Sequence, residues 1–432
     1  MRNRALLLLL AVNLLNFFDR QILASVIEPL RHDWGLSDTQ LGWLVTAFTL
    51  LYAVVGLPLG RLADSWRRNL LLAAGLTLWS GLTFLSGFCR NFWQLFAARL
   101  GVGVGEAACA PAATSMIGDL YPPLQRARAM SVFMLGLPAG VALSYLVGGA
   151  VAQHYGWRAV FFLAGAPGIL LSIAVLLMRE PHREAGRGGP PRPEAASPAM
   201  TGEENNSVGS HHEAGAPAGR RRPLSAFSLI LGIPAMRWIV LSGLLHNFIM
   251  YAFTFFLPSL LIRYYGTTAQ TAGWISALVI GTVGALGMLA GGWLGDAARK
   301  RNSQGRMMVA AMAAAAAAPA AYIGLQLNLP GFVLLQAIAA FLMYTYYPTV
   351  YATIHDLIEP QLRGRAMSIY FFAMYTLGAS LGPVVTGRLS DYFARTAPPA
   401  VALHQAMHLV PTLTILLALT LLKGSKTIKT MK

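Results

Sequence analysis

Apolar runs of about 20 residues recur along nearly the whole chain, each long enough to cross the ~30 Å hydrocarbon core of a bilayer as a helix. Short polar breaks separate them. Twelve runs can be read, at 5–30, 41–64, 70–89, 93–118, 127–151, 157–178, 237–261, 270–296, 306–325, 329–353, 364–390 and 398–422. The expected fold class is therefore an all-α integral membrane protein with twelve transmembrane helices. The first run follows Arg2 and Arg4 as the h-region of a signal peptide would, but no small-x-small site follows it and Asn16-Phe-Phe-Asp19-Arg20 continues the span. We expect an uncleaved first helix.

One interruption is longer than the rest. Residues 181–225 are rich in Gly, Pro, Ala, Ser and charge, without apolar period, which predicts a disordered cytoplasmic linker between an N-terminal six-helix bundle, 1–180, and a C-terminal one, 226–432. His182, His211 and His212 fall in it and read as solvated; no metal site and no cofactor are expected. Leu224–Met236 predicts a short surface helix leading into the seventh span.

The two halves repeat. Gly42-Trp43 followed by Gly60-x-x-x-Asp64 returns as Gly273-Trp274 followed by Gly292-x-x-x-Asp296, and Arg126-Ala-Arg128-Ala-Met-Ser returns as Arg363-Gly-Arg365-Ala-Met-Ser. Parallel hydrophobic halves of this size are a common construction of secondary transporters, whose sites lie between the repeats.

Composition changes the picture only through where the charge sits. The chain is 56% apolar and 12% charged, with a formal net charge of +16. With the termini inside, 25 of the 33 Lys and Arg fall at cytoplasmic ends and loops, which is the positive-inside pattern and not the footprint of a nucleic-acid partner. The inner membrane of a cell, both termini cytoplasmic, is the expected location. Cys89 ends span three at the outer surface, whereas Cys109 lies about 24 Å down span four, too far for a disulfide.

Ionisable residues inside a span are expensive, so each is a candidate for function. Span one holds Asp19 and Arg20; span four holds Arg99 and Glu106, two turns apart on one face. Arg99 stands about 9 Å, Asp19 about 15 Å and Glu106 about 20 Å below the outer surface. The four charges sum to zero at overlapping depths. They fit a structural network, Asp19 with Arg99 and Arg20 with Glu106. They fit equally a coupling site, because burial and a neighbouring arginine act in opposite directions on a carboxyl group's proton. Glu106 or Asp19 is the candidate proton carrier, and a released arginine could hold an anionic headgroup.

The second half offers no buried acid, only His246 and Asn247 and a set of tyrosines: Tyr251, Tyr344, Tyr346, Tyr347, Tyr351, Tyr370 and Tyr375. Packing explains such a set as well as a cavity wall for an apolar substrate surface does. Gly101, Gly103 and Gly105, Gly136 with Gly140, and Gly287 with Gly291 permit close helix contact, and Pro138, Pro348 and Pro383 mark bends. Asp64 and Asp296, each at one glycine-defined spacing before Arg67-Arg68 or Arg299-Lys300-Arg301, read as cytoplasmic gates, with Gly60, Arg68 and Arg128 beside them.

These residues resemble the major facilitator superfamily through Gly60-Arg-Leu-Ala-Asp64-Ser-Trp-Arg67-Arg68 and its echo. More narrowly the chain resembles the Spinster family through Asn16-Phe-Phe-Asp19-Arg20, Arg99-Leu-Gly-Val-Gly-Val-Gly-Glu106-Ala and Pro348-Thr-Val-Tyr351-Ala-Thr-Ile-His355-Asp356. Ser65 and Arg67 depart from the usual superfamily pattern. The resemblance implies substrate binding and proton coupling at Asp19, Arg20, Arg99 and Glu106, and eukaryotic members of that family export sphingosine phosphate or lysophospholipids.

The expected function is secondary active transport of an amphipathic organic anion, lysolipids being one class, coupled to protons, by a monomer. Arg20, Arg99, His246, Asn247, Tyr251, Tyr344, Tyr347, Tyr351 and Tyr370 are the expected substrate contacts. An organic-acid or drug carrier is the alternative. A receptor on the same fold would need a signalling domain larger than the linker and tail, and no Walker loop, zincin motif or Gly-x-Ser-x-Gly elbow points to an enzyme.

Overall fold

The computed structural model describes residues 2–178, 226–359 and 362–429, with the side chains of residues 57, 60, 61, 63–65, 123, 124, 127, 226 and 429 outside that description. The expected linker, 181–225, lies outside the described residues.

Eleven described segments are long and apolar enough to cross a membrane. One of them, Arg128–Leu177, has 50 residues, about 75 Å of helix and far more than one crossing needs. Gly156 breaks it at φ +79°, a conformation costly for any residue with a β-carbon. Two spans result, and the total is twelve. We number them α1 (Arg2–Trp34), α2 (Asp38–Ser65), α3 (Arg68–Ser86), α4 (Phe92–Leu120), α5 (128–155), α6 (157–177), α7 (Pro234–Arg263), α8 (Ala269–Arg301), α9 (Gly305–Leu325), α10 (Leu329–Leu357), α11 (Arg363–Phe393) and α12 (Pro399–Ile428). A short helix, Ala226–Gly232, precedes α7.

The polar breaks do the local work of ending and restarting helices. Ser37 Oγ accepts a hydrogen bond from the Gln40 amide and the Ser37 amide donates to Gln40 Oε1 in return, a capping box that satisfies orphan N–H groups of α2. Thr268 caps α8 through the Thr271 amide. The turns before these caps use Gly35 and Gly266 at φ +62° and +68°. The internal repeat therefore begins earlier than Gly-Trp, with a glycine turn and a hydroxyl cap.

The repeated Gly-Trp pair also acquires a reason. A β-carbon on Gly42 would collide with the backbone of Pro383 and Val384 in α11, and one on Gly273 with the backbone of Tyr145 and Gly149 in α5. Trp43 and Trp274 are 44% and 56% exposed. Each glycine thus lets a helix of one half touch a helix of the other, α2 against α11 and α8 against α5, while its tryptophan turns outward.

Several helices lose regularity along their length, α5 at Leu135, α10 at Thr345 and α12 at His408, and three more do so over longer stretches. α4 turns between Glu106 and Cys109, α8 carries a wide π-type stretch over Ala277–Val283, and α11 carries one over Met374–Ala379. Such widened turns redirect side chains and recur at functional sites.

Candidate functional site

α1 and α4 bring the four span charges of the first half together. The Arg20 guanidinium donates to Glu106 Oε2 from Nε at 3.4 Å and Nη2 at 3.3 Å, and Nη2 also reaches Asn16 Oδ1 at 3.5 Å. Arg20 lies over the rings of Tyr52, Phe17 and Phe48 at 4.5, 5.0 and 5.4 Å, so π faces hold its charge along with the carboxylate. Of the two pairs considered from sequence, Arg20 with Glu106 forms. Asp19 and Arg99 do not close to ion-pair distance: both are buried, and among the described residues neither Asp19 oxygen, nor Arg99 Nε and Nη1, has a hydrogen-bond partner. Arg99 rests over Phe48 at 5.1 Å.

Unpaired polar atoms in a buried site are costly, which makes them candidates for a ligand's partners. Arg20 and Arg99 line one small cavity of about 20 Å³ with Phe48, Tyr251, Thr254 and Phe255. It holds one water-sized group.

The aromatic set of the second half divides. Tyr251 and Tyr375 face Arg20 across the interface, with Tyr52 against Tyr375 at 5.6 Å and Tyr251 against Tyr375 at 6.4 Å. Tyr347, Tyr351 and Phe371 extend this wall edge to face, and Tyr344 stands beside Tyr347 at 5.9 Å. His246 and Tyr370, expected as substrate contacts, are fully buried in helix packing. His246 stacks on Tyr346 at 3.9 Å, and Tyr370 donates its hydroxyl to Tyr346, which bonds Ser242. Asn247 is equally enclosed, accepting from the Tyr347 hydroxyl at 3.4 Å and donating to the Met374 carbonyl.

At the end of the bundle that carries the termini, each half ties its own helices. Arg306 bridges Asp296 and Asp356 at 2.6 Å each, and Arg299 reaches Asp356 at 2.9 Å. In the first half the corresponding places hold Arg68 and Asp119, which are paired, with Ser115 accepting from Arg68 at 3.0 Å. Gly60 and Asp64 lie in α2, and their side chains fall outside the described residues. Arg126 and Arg363, the first arginines of the third echo, each donate Nε to the carbonyl five residues back, Tyr121 at 2.8 Å and Ile358 at 3.1 Å, and so cap the carbonyl end of α4 and α10. Arg128 is exposed.

The halves are joined at the opposite end. Arg263 of α7 grips Asp38 of α2 with two bonds of 2.8 and 2.9 Å and Glu28 of α1 at 2.6 Å, while Ser390 of α11 donates to Asp38 at 2.6 Å. Asp391 of α11 accepts from the amides of Asp38 and Thr39, capping α2 from across the interface. Among the described residues, every ion pair that crosses between the halves is at this end. None of Glu28, Asp38, Arg263 and Asp391 is singled out by the sequence alone. The signal available was a cluster of opposite charges at span ends, which does not by itself say which ends meet.

Twelve helices in two halves, with the ion pairs between the halves gathered at one end among the described residues and charges buried near the middle of the interface, define a membrane carrier. The Major Facilitator Superfamily sequence profile matches residues 9–383, and the chain belongs to that superfamily. It is 29% identical over 383 residues to an MFS-type efflux pump of Mycolicibacterium smegmatis, covering 88% of this chain and 82% of that one. It is 26% identical to protein spinster homolog 1 of Xenopus tropicalis, covering 91% and 74%. In structure it matches a bacterial homolog of the human lysosomal transporter Spinster, in inward-facing and unoccupied conformation, with a TM-score of 0.83, 25% identity and 99% and 98% coverage. The protein is a multi-pass membrane transporter resembling Spinster, and not an enzyme.

Proposed function

We propose that the chain moves an amphipathic organic anion, lysolipids being one class, by alternating access coupled to protons. The observation that carries this reading is Arg99: a buried guanidinium with unpartnered Nε and Nη1, sharing a cavity with Arg20 and facing aromatic residues of the other half. A cavity of about 20 Å³ is too small for a headgroup. Entry therefore requires Arg20 to leave Glu106, and protonation of Glu106, or of Asp19 beside it, is the event that releases it. The headgroup then lies between Arg20 and Arg99 and the apolar part along Tyr251, Tyr347 and Tyr351.

The division into bundles 1–180 and 226–432 joined by a linker, and a monomeric state, belong to the same proposal. So does an inner-membrane location with both termini cytoplasmic, supported by the distribution of Lys and Arg. With that orientation the junction at Asp38 and Arg263 closes the outer face, a reading supported by the likeness to a structure described as inward-facing. Similarity to an efflux pump supports a second reading, a drug or organic-acid carrier using the same cavity.

The test compares two ligands in liposomes. Arg99→Ala should weaken binding of an anion far more than that of an uncharged analogue with the same tail, because only the anion loses a charge-assisted contact. Equal losses would make Arg99 a structural residue and remove the anionic assignment.

A further inference from the structure

A second cationic cavity lies outside the central site, at the terminal end of the first half. It has a volume of about 370 Å³ and opens between the first turn of α1 and the start of α5. Its polar wall is Arg2, Asn3, Tyr121, Gln125 and Arg128; Leu6, Ala129 and Val132 form its apolar floor. Arg2 lies over the Tyr121 ring at 5.0 Å, and the Tyr121 hydroxyl bonds the Arg2 carbonyl and the Asn3 side chain at 3.4 and 3.3 Å. The ring thereby fixes the guanidinium at the cavity's edge. Neither Arg2 nor Arg128 has a carboxylate partner among the described residues, whereas the nearby Asp119 is taken by Arg68.

Depth identifies the ligand. α1 has 33 residues, a length of about 50 Å, so its first turn projects beyond the ~30 Å hydrocarbon and stands among lipid headgroups. A pocket there with two unneutralised guanidiniums, side-chain amides and an apolar floor matches a phosphodiester with acyl chains attached. We propose that this cavity binds the headgroup of an anionic phospholipid from the leaflet on the terminal side, with Arg2 and Arg128 on the phosphate and the first methylenes of the chain over Leu6 and Val132. Soluble phosphate would satisfy the arginines but leave the apolar floor uncovered.

The experiment uses the full chain, purified and delipidated in detergent, with phosphatidylglycerol or phosphatidylcholine added, read by thermal shift and by native mass spectrometry of retained lipid. Phosphatidylglycerol should raise the unfolding midpoint and stay bound where phosphatidylcholine does not. Arg2→Gln with Arg128→Gln should weaken phosphatidylglycerol binding about tenfold or more, each single change accounting for part of the loss. Arg4→Gln removes the same charge from outside the cavity and should leave binding near that of the unaltered chain. The site is overturned by any of three results: equal effects of the two lipids, equal losses in Arg4→Gln and the cavity variants, or equal stabilisation by sn-glycerol 3-phosphate alone, which would mark a soluble-anion site.

Discussion

Arg263 binds both carboxylate oxygens of Asp38 with a side chain 5% exposed against one 4% exposed, and these residues belong to opposite halves of the molecule. The bidentate geometry uses the planar guanidinium in a way that lysine cannot copy. Glu28 bonds the Arg263 Nε, Ser390 donates to Asp38, and Arg31 stands within ion-pair distance of both carboxylates, so the junction is a buried charge network. An opening at this end must break it.

Loss of one partner should therefore shift the conformational balance. Arg263→Gln leaves Asp38 and Glu28 with only Arg31 as cation, at the longer distances of 3.5 and 3.7 Å, and truncating a buried pair costs up to about 3–5 kcal/mol, less where a second cation remains. Val45 also lines the cavity of Arg20 and Arg99, and in a background lacking Cys89 and Cys109, Val45→Cys should be labelled faster by an impermeant thiol reagent from the sealed side. Unchanged labelling would mean that helix packing alone holds this end shut.

The glycine contacts should act in the same direction without any charge. Gly273→Ala places a methyl against the Tyr145 and Gly149 backbone, overpacking that costs about 1–3 kcal/mol in the closed arrangement. The labelling of Val45→Cys should rise again, and distances between spin labels on α5 and α8 at this end should lengthen. Preserved distances would show that the helices accommodate the methyl locally.

Glu106→Gln keeps a hydrogen-bond acceptor for Arg20 but removes the titrating carboxylate. Accumulation driven by a pH gradient should disappear while exchange of substrate for substrate persists. Accumulation with unaltered pH dependence would transfer the proton role to Asp19 or end it.

At the terminal end, Arg306→Gln breaks the bridge to both Asp296 and Asp356, whereas Asp296→Asn weakens one arm of it. Initial uptake, normalised to protein in the membrane, should fall further in the arginine variant. Asp64→Asn should also lower uptake while sparing insertion. Full rates in all three would reduce these residues to markers of topology.

Much of this was legible in the chain itself. Span number, the duplicated Gly-Trp and Gly-x-x-x-Asp signatures and the buried residues Asp19, Arg20, Arg99 and Glu106 follow from local rules: the length of apolar runs, the 3.6-residue turn and the cost of charge in lipid. Those rules act within one helix or between sequence neighbours. They placed Glu106 two turns from Arg99 and put both near Asp19 in depth. The tertiary structure decided which charges meet. Arg20 took Glu106, leaving Asp19 and Arg99 without hydrogen-bond partners at the atoms named; His246 and Tyr370 turned into packing; Asp38 met Arg263 across the interface. Such choices depend on how two prebuilt halves close on each other, and a carrier must keep more than one closure within reach. A sequence compatible with alternative closures determines its helices separately from the contacts that join them, because the intrahelical hydrogen bonds persist in every state while the contacts between halves are exchanged.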